Sequence, residues 1–415
     1  MNYLMKSIFS VLFIFSASPI AALQTSNVEI IKLTDKYYKL VCTNGGDIVN
    51  TFASVGDDGI LLVDGGFAQT ATELKSKIES LGNGELKMLI NTHAHPDHIG
   101  ANSLLAKNDI TIIAHANVRN RLAGYYGIIS NVPDESLPNI TFENSLTLHF
   151  NDEEINLLYF PGHSDGDVVV HFPESNIVIM GDLLLTNGFP SVEVVVGGNI
   201  EQYIESFAAI IDQFPANTRF FPGHGEEYTH AEMKEYYQMI IETTDAIRKG
   251  LKAGKNIAEM RAEKILEQWQ LQVVPGAATA NYWIGAVAGS LANPNPGPSI
   301  AEPLLNTLIQ RDVNAAIMQY KELKKNSYGD YEFHENTLNA LGYFLLGRDR
   351  SKDAIEIFKL NVAEYPEASN VYDSLGEAYM VNGDKEPAII NYEKSLKLDP
   401  DNQNAVARLK ILHAK

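Results

Sequence analysis

Between Val28 and Val63 the apolar positions come in short runs rich in β-branched and aromatic residues: Glu29–Leu33, Tyr37–Cys42, Val49–Val55 and Ile60–Val63. Thr-Asn-Gly-Gly and Gly-Asp-Asp-Gly turns part them, which predicts strands joined as hairpins. From Thr70 to Leu81 the spacing becomes that of an amphipathic helix capped near Thr70. Strands and helices then alternate: a strand over Leu86–Ile90, a helix over Ile99–Lys107, a strand over Ile110–Ala114. Thr141–Phe150 and Ile155–Phe160 read as a hairpin around Asn151-Asp-Glu-Glu154. The runs Val168–Phe172, Ile177–Met180 and Arg219–Phe221 read as strands, with an amphipathic helix over Ile200–Phe214. This is the pattern of a mixed α/β domain, with loops collected at strand ends. From Thr229 onward the period is helical, over Tyr236–Ala253, Ile257–Leu271 and Asn281–Leu291. Residues 229–291 are expected to close the domain. Pro294-Asn-Pro-Gly-Pro298 then reads as a linker (residues 295–300) before an all-α region over 301–415.

Composition narrows the class. The 415 residues suffice for two or three domains, and 45% hydrophobic with 20% charged residues describes a soluble globular chain. A net charge of −20 repels nucleic acid and anionic lipid, which counts against a nuclease. At the N-terminus, Lys6 precedes the apolar run Ile8–Phe15 and the small residues of Ser16–Ala22. Residues 1–22 thus read as a secretory signal peptide, too short in its apolar part to span a bilayer. The expectation is a secreted or periplasmic protein with no membrane attachment after cleavage. With Cys42 as its one cysteine the chain forms no internal disulfide, and Cys42 reads as a small apolar strand residue.

The chemistry concentrates in Asn91-Thr-His-Ala-His-Pro-Asp-His-Ile-Gly100, where His93, His95, Asp97 and His98 crowd one turn directly after a strand. Imidazole and carboxylate donors without a thiol suit zinc, and less exclusively iron or manganese. The theme of an apolar strand, a glycine-containing turn and a His or Asp recurs. His163 lies in Phe160-Pro-Gly-His-Ser-Asp-Gly-Asp167, Asp182 in Met180-Gly-Asp, and His224 in Pro222-Gly-His-Gly225.

This ordered set of motifs resembles the metallo-β-lactamase superfamily over about Val28 to Pro294, so residues 23–294 are taken as its catalytic domain. The resemblance implies a four-layer αβ/βα sandwich holding two zinc ions in a groove at one edge. It implies His93, His95 and His163 as ligands of one ion, Asp97, His98 and His224 as ligands of the other, and Asp182 as the bridge. A metal-bridged hydroxide would then attack a carbonyl-type bond in a small-molecule ester, lactone, thioester or amide, with Asp97 orienting it and accepting its proton. His95 stands where the redox di-iron branch has Glu. Only 42 residues separate Asp182 from His224, too few for the domain inserted in RNA-processing members. Asp182 replaces the Cys or Ser usual in β-lactamases, so antibiotic hydrolysis stays as the alternative. Two further alternatives are an iron-dependent oxygenase of the same fold and an interaction protein with a vestigial metal domain.

Around this set, His115 is a candidate to support a ligand, and one of Asp165 and Asp167 is a candidate acceptor for a ligand imidazole. His149, His171, His230, His334 and His413 lack a metal-like neighbourhood, and Tyr125-Tyr126 reads as packing ahead of groove lining.

In the last hundred or so residues, Gly342 and Gly376, Ala354 and Ala388, Phe358 and Tyr392, and Pro366 and Pro400 recur at a spacing of 34. That spacing resembles the tetratricopeptide repeat, with Ala316–Tyr320 as a degenerate first copy. Such an array implies a protein partner or self-association.

Overall fold

The computed structural model describes residues 26–413 except 83, 107–109, 125–126, 128–131, 187, 270–277, 293–298, 328–330, 332 and 401. The segment expected to be a signal peptide, the proline-rich stretch of the expected linker and Tyr125-Tyr126 lie outside the described residues. The chain forms two compact units, one built on residues 21–123 and 132–295 and the other on 296–415.

In the first unit, strands β1 (Asn27–Lys32), β2 (Tyr37–Asn44), β3 (Asp47–Gly56) and β4 (Gly59–Val63) form the expected antiparallel meander. β5 (Leu86–Ile90), β6 (Thr111–His115) and β7 (Ile140–Phe142) extend it in parallel, giving a seven-stranded sheet in chain order. Helices α1 (Ala71–Glu79), α2 (Pro96–Ile99), α3 (Asn102–Ala106) and α4 (Ala116–Ala123) make the connections. The second sheet has the order β13-β12-β11-β10-β9-β8, with β8 (Ser145–Phe150), β9 (Glu153–Tyr159), β10 (Val168–Phe172), β11 (Ile177–Ile179), β12 (Arg219–Phe221) and β13 (Tyr228–Thr229). Only β11 and β12 pair in parallel there. The region expected as one hairpin strand, Thr141–Phe150, is divided. Thr141 and Phe142 pair with β6 in the first sheet, and β8 starts the second at Ser145.

Period-two side-chain alternation builds the layers. Leu61 and Val63 point into a core shared with Val168, Val170, Ile155 and Phe221 of the other sheet. Ile60 and Leu62 face the opposite way, onto Leu74 and Ile78 of α1. Val169 and Phe220 face outward from the second sheet, onto α5 (Ile200–Gln213), α6 (His230–Lys252) and α8 (Ala280–Ala292). Helix, sheet, sheet, helix is the αβ/βα sandwich. Asn199 caps α5, a Thr229/Glu232 capping box starts α6, and an Asn256/Glu259 box starts the short α7 (Ile257–Ala262). Thr70 occupies the N-cap position of α1, but its hydroxyl turns back to the Phe67 carbonyl.

The second unit is helical. α9 (Ala301–Gln310) pairs with α10 (Val313–Asn326), α11 (Glu335–Leu346) with α12 (Ser351–Glu364), and α13 (Ser369–Asn382) with α14 (Lys385–Leu398). α15 (Gln403–His413) follows against α14. The 34-residue spacing has a steric cause. A Cβ on Gly342 would lie 2.4 Å from the Phe358 ring, and one on Gly376 would lie 3.1 Å from the Tyr392 ring. In each copy the glycine admits the aromatic of the next helix. No helix among the described residues is long and apolar enough to cross a membrane.

Candidate metal centre

The chain delivers its donors at strand ends. β5 stops at Ile90, and Pro96 starts α2 so that Asp97 and His98 fall in its single turn, just after His93 and His95. His163 lies on the loop between β9 and β10, Asp182 on a 3-10 turn after β11, and His224 on the loop after β12. These loops share one edge of the sandwich.

Two clusters result: His93, His95, His163 and Asp182, and beside them Asp97, His98 and His224, each set with its donor atoms within 4.8 Å. His95 Nδ1 lies 3.0 Å from both His93 Nε2 and His163 Nε2. Asp182 faces both groups. Its Oδ2 lies 3.7 Å from His93 Nε2 and 3.8 Å from His163 Nε2, while its Oδ1 lies 3.2 Å from His98 Nε2 and 3.5 Å from His224 Nε2. Asp97 Oδ2 stands 3.2 Å from His224 Nε2 and 3.8 Å from His98 Nε2. Gly223 is required by this approach, since a Cβ there would sit 2.1 Å from Asp182 Oδ1.

The far side of each ring fixes which nitrogen is free. His163 Nδ1 bonds the Ser191 carbonyl at 3.0 Å and His224 Nδ1 the Ile48 carbonyl at 2.5 Å. A carbonyl only accepts, so each Nδ1 carries a proton and Nε2 is the nitrogen turned toward the cluster, with a lone pair to give whenever the ring is neutral. His98 Nδ1 donates to Asp64 Oδ2 at 2.8 Å. The same carboxylate takes the Thr92 amide and hydroxyl, both at 2.8 Å. With its proton given to Asp64, Thr92 Oγ1 is left to accept from His93 Nδ1 at 3.1 Å. Asp64 therefore orients one imidazole in each cluster, from a buried position with φ of +64°.

A cation fits this donor set. His98 Nε2 and Asp182 Oδ1 are buried and make no hydrogen bond although they face each other. Two lone pairs at 3.2 Å call for positive charge between them. Burial pushes His95 and His163 down to about 4, keeping both imidazoles neutral and ready to donate. For Asp97, burial acts upward, but the adjacent His98 and His224 bring its carboxyl down to about 2. Burial likewise opposes charge on His224, yet Asp182 and Asp97 raise it to about 10, the mark of a carboxylate pair drawing in a cation.

The residues expected to support the ligands do other work. His115 bonds the Glu143 carbonyl and the Asn117 amide and stacks on Tyr159, with ring centroids 4.1 Å apart. Asp165 forms a two-point ion pair with Arg121, and Asp167 accepts from the Ser164 amide and hydroxyl. Among the described residues, none of the three bonds a cluster imidazole. Asp64, Thr92, Ser191 and Ile48 do so instead. Of these, the acid at the end of β4 is the one with a signal in the sequence, an Asp-Gly-Gly terminating a strand. Of the other histidines, His230 bonds the Ile211 carbonyl, His334 caps α11, and His171 packs edge-on against Phe214.

Sandwich and donor clusters together define a metal-binding enzyme built on paired sheets. Residues 44–224 match the metallo-β-lactamase superfamily and residues 369–402 the tetratricopeptide repeat. Over 184 residues the chain is 30% identical to the probable metallo-hydrolase YqgX of Bacillus subtilis, covering 43% of this chain and 85% of that protein. It is 26% identical over 190 residues to the probable metallo-hydrolase MJ0888 of Methanocaldococcus jannaschii, covering 43% and 87%. A hydroxyacylglutathione hydrolase of Synechococcus sp. is 30% identical over 164 residues, which span 40% of this chain and 58% of that enzyme. Among solved structures, a metallo-β-lactamase from Pontibacter korlensis superposes with a TM-score of 0.44 at 18% identity, over 52% of this chain and 99% of that one. The chain belongs to the metallo-β-lactamase superfamily and is a metallo-hydrolase.

Proposed function

We propose that the protein is a two-zinc hydrolase of acyl compounds, acting on a thioester, ester or lactone. The observation that carries this reading is the division of Asp182, one oxygen toward the three-histidine cluster and the other toward His98 and His224. A single-metal site has no use for a carboxylate shared in that way. His93, His95 and His163 would hold one ion, Asp97, His98 and His224 the other, and Asp182 both. Bound there, the ions supply an activated water at neutral pH and polarise the acyl oxygen. The remaining work belongs to the chain. Asp64, Thr92, Ser191 and the Ile48 carbonyl keep the imidazoles in the donating tautomer. Asp97 and His224, with side chains 21% and 17% exposed, form the open side from which substrate arrives. Asp97 orients the attacking water there and takes its proton.

The relatives named as hydroxyacylglutathione hydrolases support placing a thioester first in the panel of substrates. An aspartate at position 182 supports an acyl hydrolase over a β-lactamase. We also propose export, on the apolar Ile8–Phe15 run followed by small residues to Ala22. A mature N-terminus near Leu23, read by mass spectrometry of protein recovered from outside the cytoplasm, is the expected result; an intact Met1 there would exclude cleavage.

Purified full-length protein is expected to carry two zinc ions per chain and to hydrolyse at least one member of a panel of glutathione thioesters, aryl esters and lactones in preference to nitrocefin. His95→Ala and Asp182→Ala are each expected to reduce hydrolysis to background with the far-UV spectrum unchanged. Full activity in both variants, or one iron per chain with no zinc-supported hydrolysis, would overturn the assignment.

A further inference from the structure

The segment that closes the catalytic unit reaches the metal centre through one side chain. Helix α8 lies beyond His224, outside residues 44–224 that match the superfamily, and the helix with the residues leading into it is tethered to the segment from Phe189 to Ile200 at three points. The Phe189 amide donates to the Ala278 carbonyl at 2.9 Å, and the Ile200 amide to Ser290 Oγ at 2.9 Å. Between them, Tyr282 sends its hydroxyl into the loop. It donates to Glu193 Oε1 and lies 2.8 Å from Ser191 Oγ, which itself donates to Glu193 Oε1 at 2.9 Å. The two loop residues so fastened are the ones that grip His163. Ser191 supplies the carbonyl for its Nδ1, and the Glu193 amide donates to the His163 carbonyl at 2.8 Å.

We propose that Tyr282 is a positioning residue for His163, fixing through Ser191 and Glu193 the ring orientation that presents Nε2 to the metal. The inference rests on the reading of His163 as a ligand. A phenol suits this task. Its ring packs rigidly on a helix, and its hydroxyl ties that helix to a carboxylate otherwise held by Ser191 Oγ of its own loop. Loosening that carboxylate releases both holds on His163 together, because Glu193 acts through its amide and Ser191 through its carbonyl. The outer α-helical layer is thereby made part of the centre, and metal affinity is coupled to a segment outside the residues that match the superfamily.

The test uses the full-length chain in a His224→Ala background, which takes one donor from the second cluster and leaves His93, His95, His163 and Asp182 intact, loaded with cobalt(II). Tyr282→Phe is expected to weaken cobalt(II) binding about ten-fold and to change the d–d absorption bands, with helix content retained. Glu193→Leu, acting on the same triangle from the loop side, is expected to weaken it in the same direction. Ser290→Ala removes a neighbouring tether of the same helix that bonds neither Ser191 nor Glu193. It is expected to lower Tm while leaving affinity and spectrum unchanged. If Tyr282→Phe and Glu193→Leu bind cobalt(II) as tightly as the parent while His163→Ala loses it, the positioning role is wrong and the ligand assignment stands. If His163→Ala also binds as tightly, the ligand assignment fails and the positioning role falls with it.

Discussion

Asp64 does more for the centre than any other residue that never points a donor at it. Its carboxylate meets three donors, and two of the bonds lead to ligand imidazoles, one in each cluster. Asp64→Asn retains the volume and tolerates the left-handed backbone, but its amide nitrogen has no lone pair for His98 Nδ1 or the Thr92 hydroxyl. Zinc affinity measured calorimetrically is expected to fall about 10–100-fold with little loss of helix or sheet; unchanged affinity would remove Asp64 from the centre's support. Cys42 makes the opposite case, a reactive group put out of reach. It is fully buried, and burial pushes its thiol up to about 11. At pH 8 the native protein is expected to react with a thiol reagent only as fast as it opens, and to yield one fast-reacting thiol per chain in denaturant. Fast labelling of native protein would contradict its placement. The candidate ligands were legible in the sequence because each sits on a turn directly after an apolar run, where a His or Asp serves no packing purpose. Their supports were not. The Ser191 and Ile48 partners are backbone carbonyls, which every residue carries, and Asp165 and Asp167 were offered for that role on nearness in sequence alone. Arg121 and Ser164 hold those two carboxylates elsewhere.

Among elements, the sequence pattern located strands better than it assigned them to sheets. Alternation sees which residues share a face, not which strand lies beside them. Thr141 and Phe142 carry the same signal as β8, and only the asparagine and glutamate-bearing turn at 143–144 lets the chain leave one sheet for the other. The helical repeat was easier to read, because a glycine facing an aromatic is a steric requirement recorded in residue type. The two copies differ in strictness, and the difference is measurable. Gly342→Ala drives a methyl to 2.4 Å of the Phe358 ring, a fully buried side chain. It is expected to destabilise the helical unit by about 1–3 kcal/mol. Gly376→Ala meets the Tyr392 ring at 3.1 Å, where a few tenths of an ångström suffice, and gains about 1 kcal/mol of helix propensity. The second substitution is expected to be close to neutral. Thermal unfolding followed by circular dichroism at 222 nm decides the matter, and a Gly376→Ala variant less stable than Gly342→Ala would refute the packing account.

At the scale of the whole molecule, the proposed two-zinc site would also act as a structural clamp. Its donors come from loops after β5, β11 and β12 and from the loop between β9 and β10, so both sheets of the sandwich contribute to it. An ion that binds those loops only when they are assembled stabilises the folded unit by mass action. Without an internal disulfide, the catalytic unit has no covalent tie to take the place of that contribution. At free zinc a thousand-fold above Kd the gain is about 4 kcal/mol for each ion. In a unit of this size each kcal/mol moves Tm by about 2–4 °C, so removing one ion lowers it by about 8–16 °C. The tryptophans give this unit its own signal. Both residues of the chain, Trp269 and Trp283, belong to it, Trp283 fully buried with its indole N–H on Thr243 and Trp269 bonded to Glu242. The helical repeats hold none and are silent in tryptophan fluorescence. A fluorescence melt of the full-length protein is therefore expected to shift down by at least that amount on chelation, which removes both ions, and to return when zinc is restored. In Asp182→Ala, where the shared carboxylate is gone, the response to zinc should be largely lost. A melt that does not move with chelator would mean that the ions, however catalytic, are not part of what holds the two sheets together.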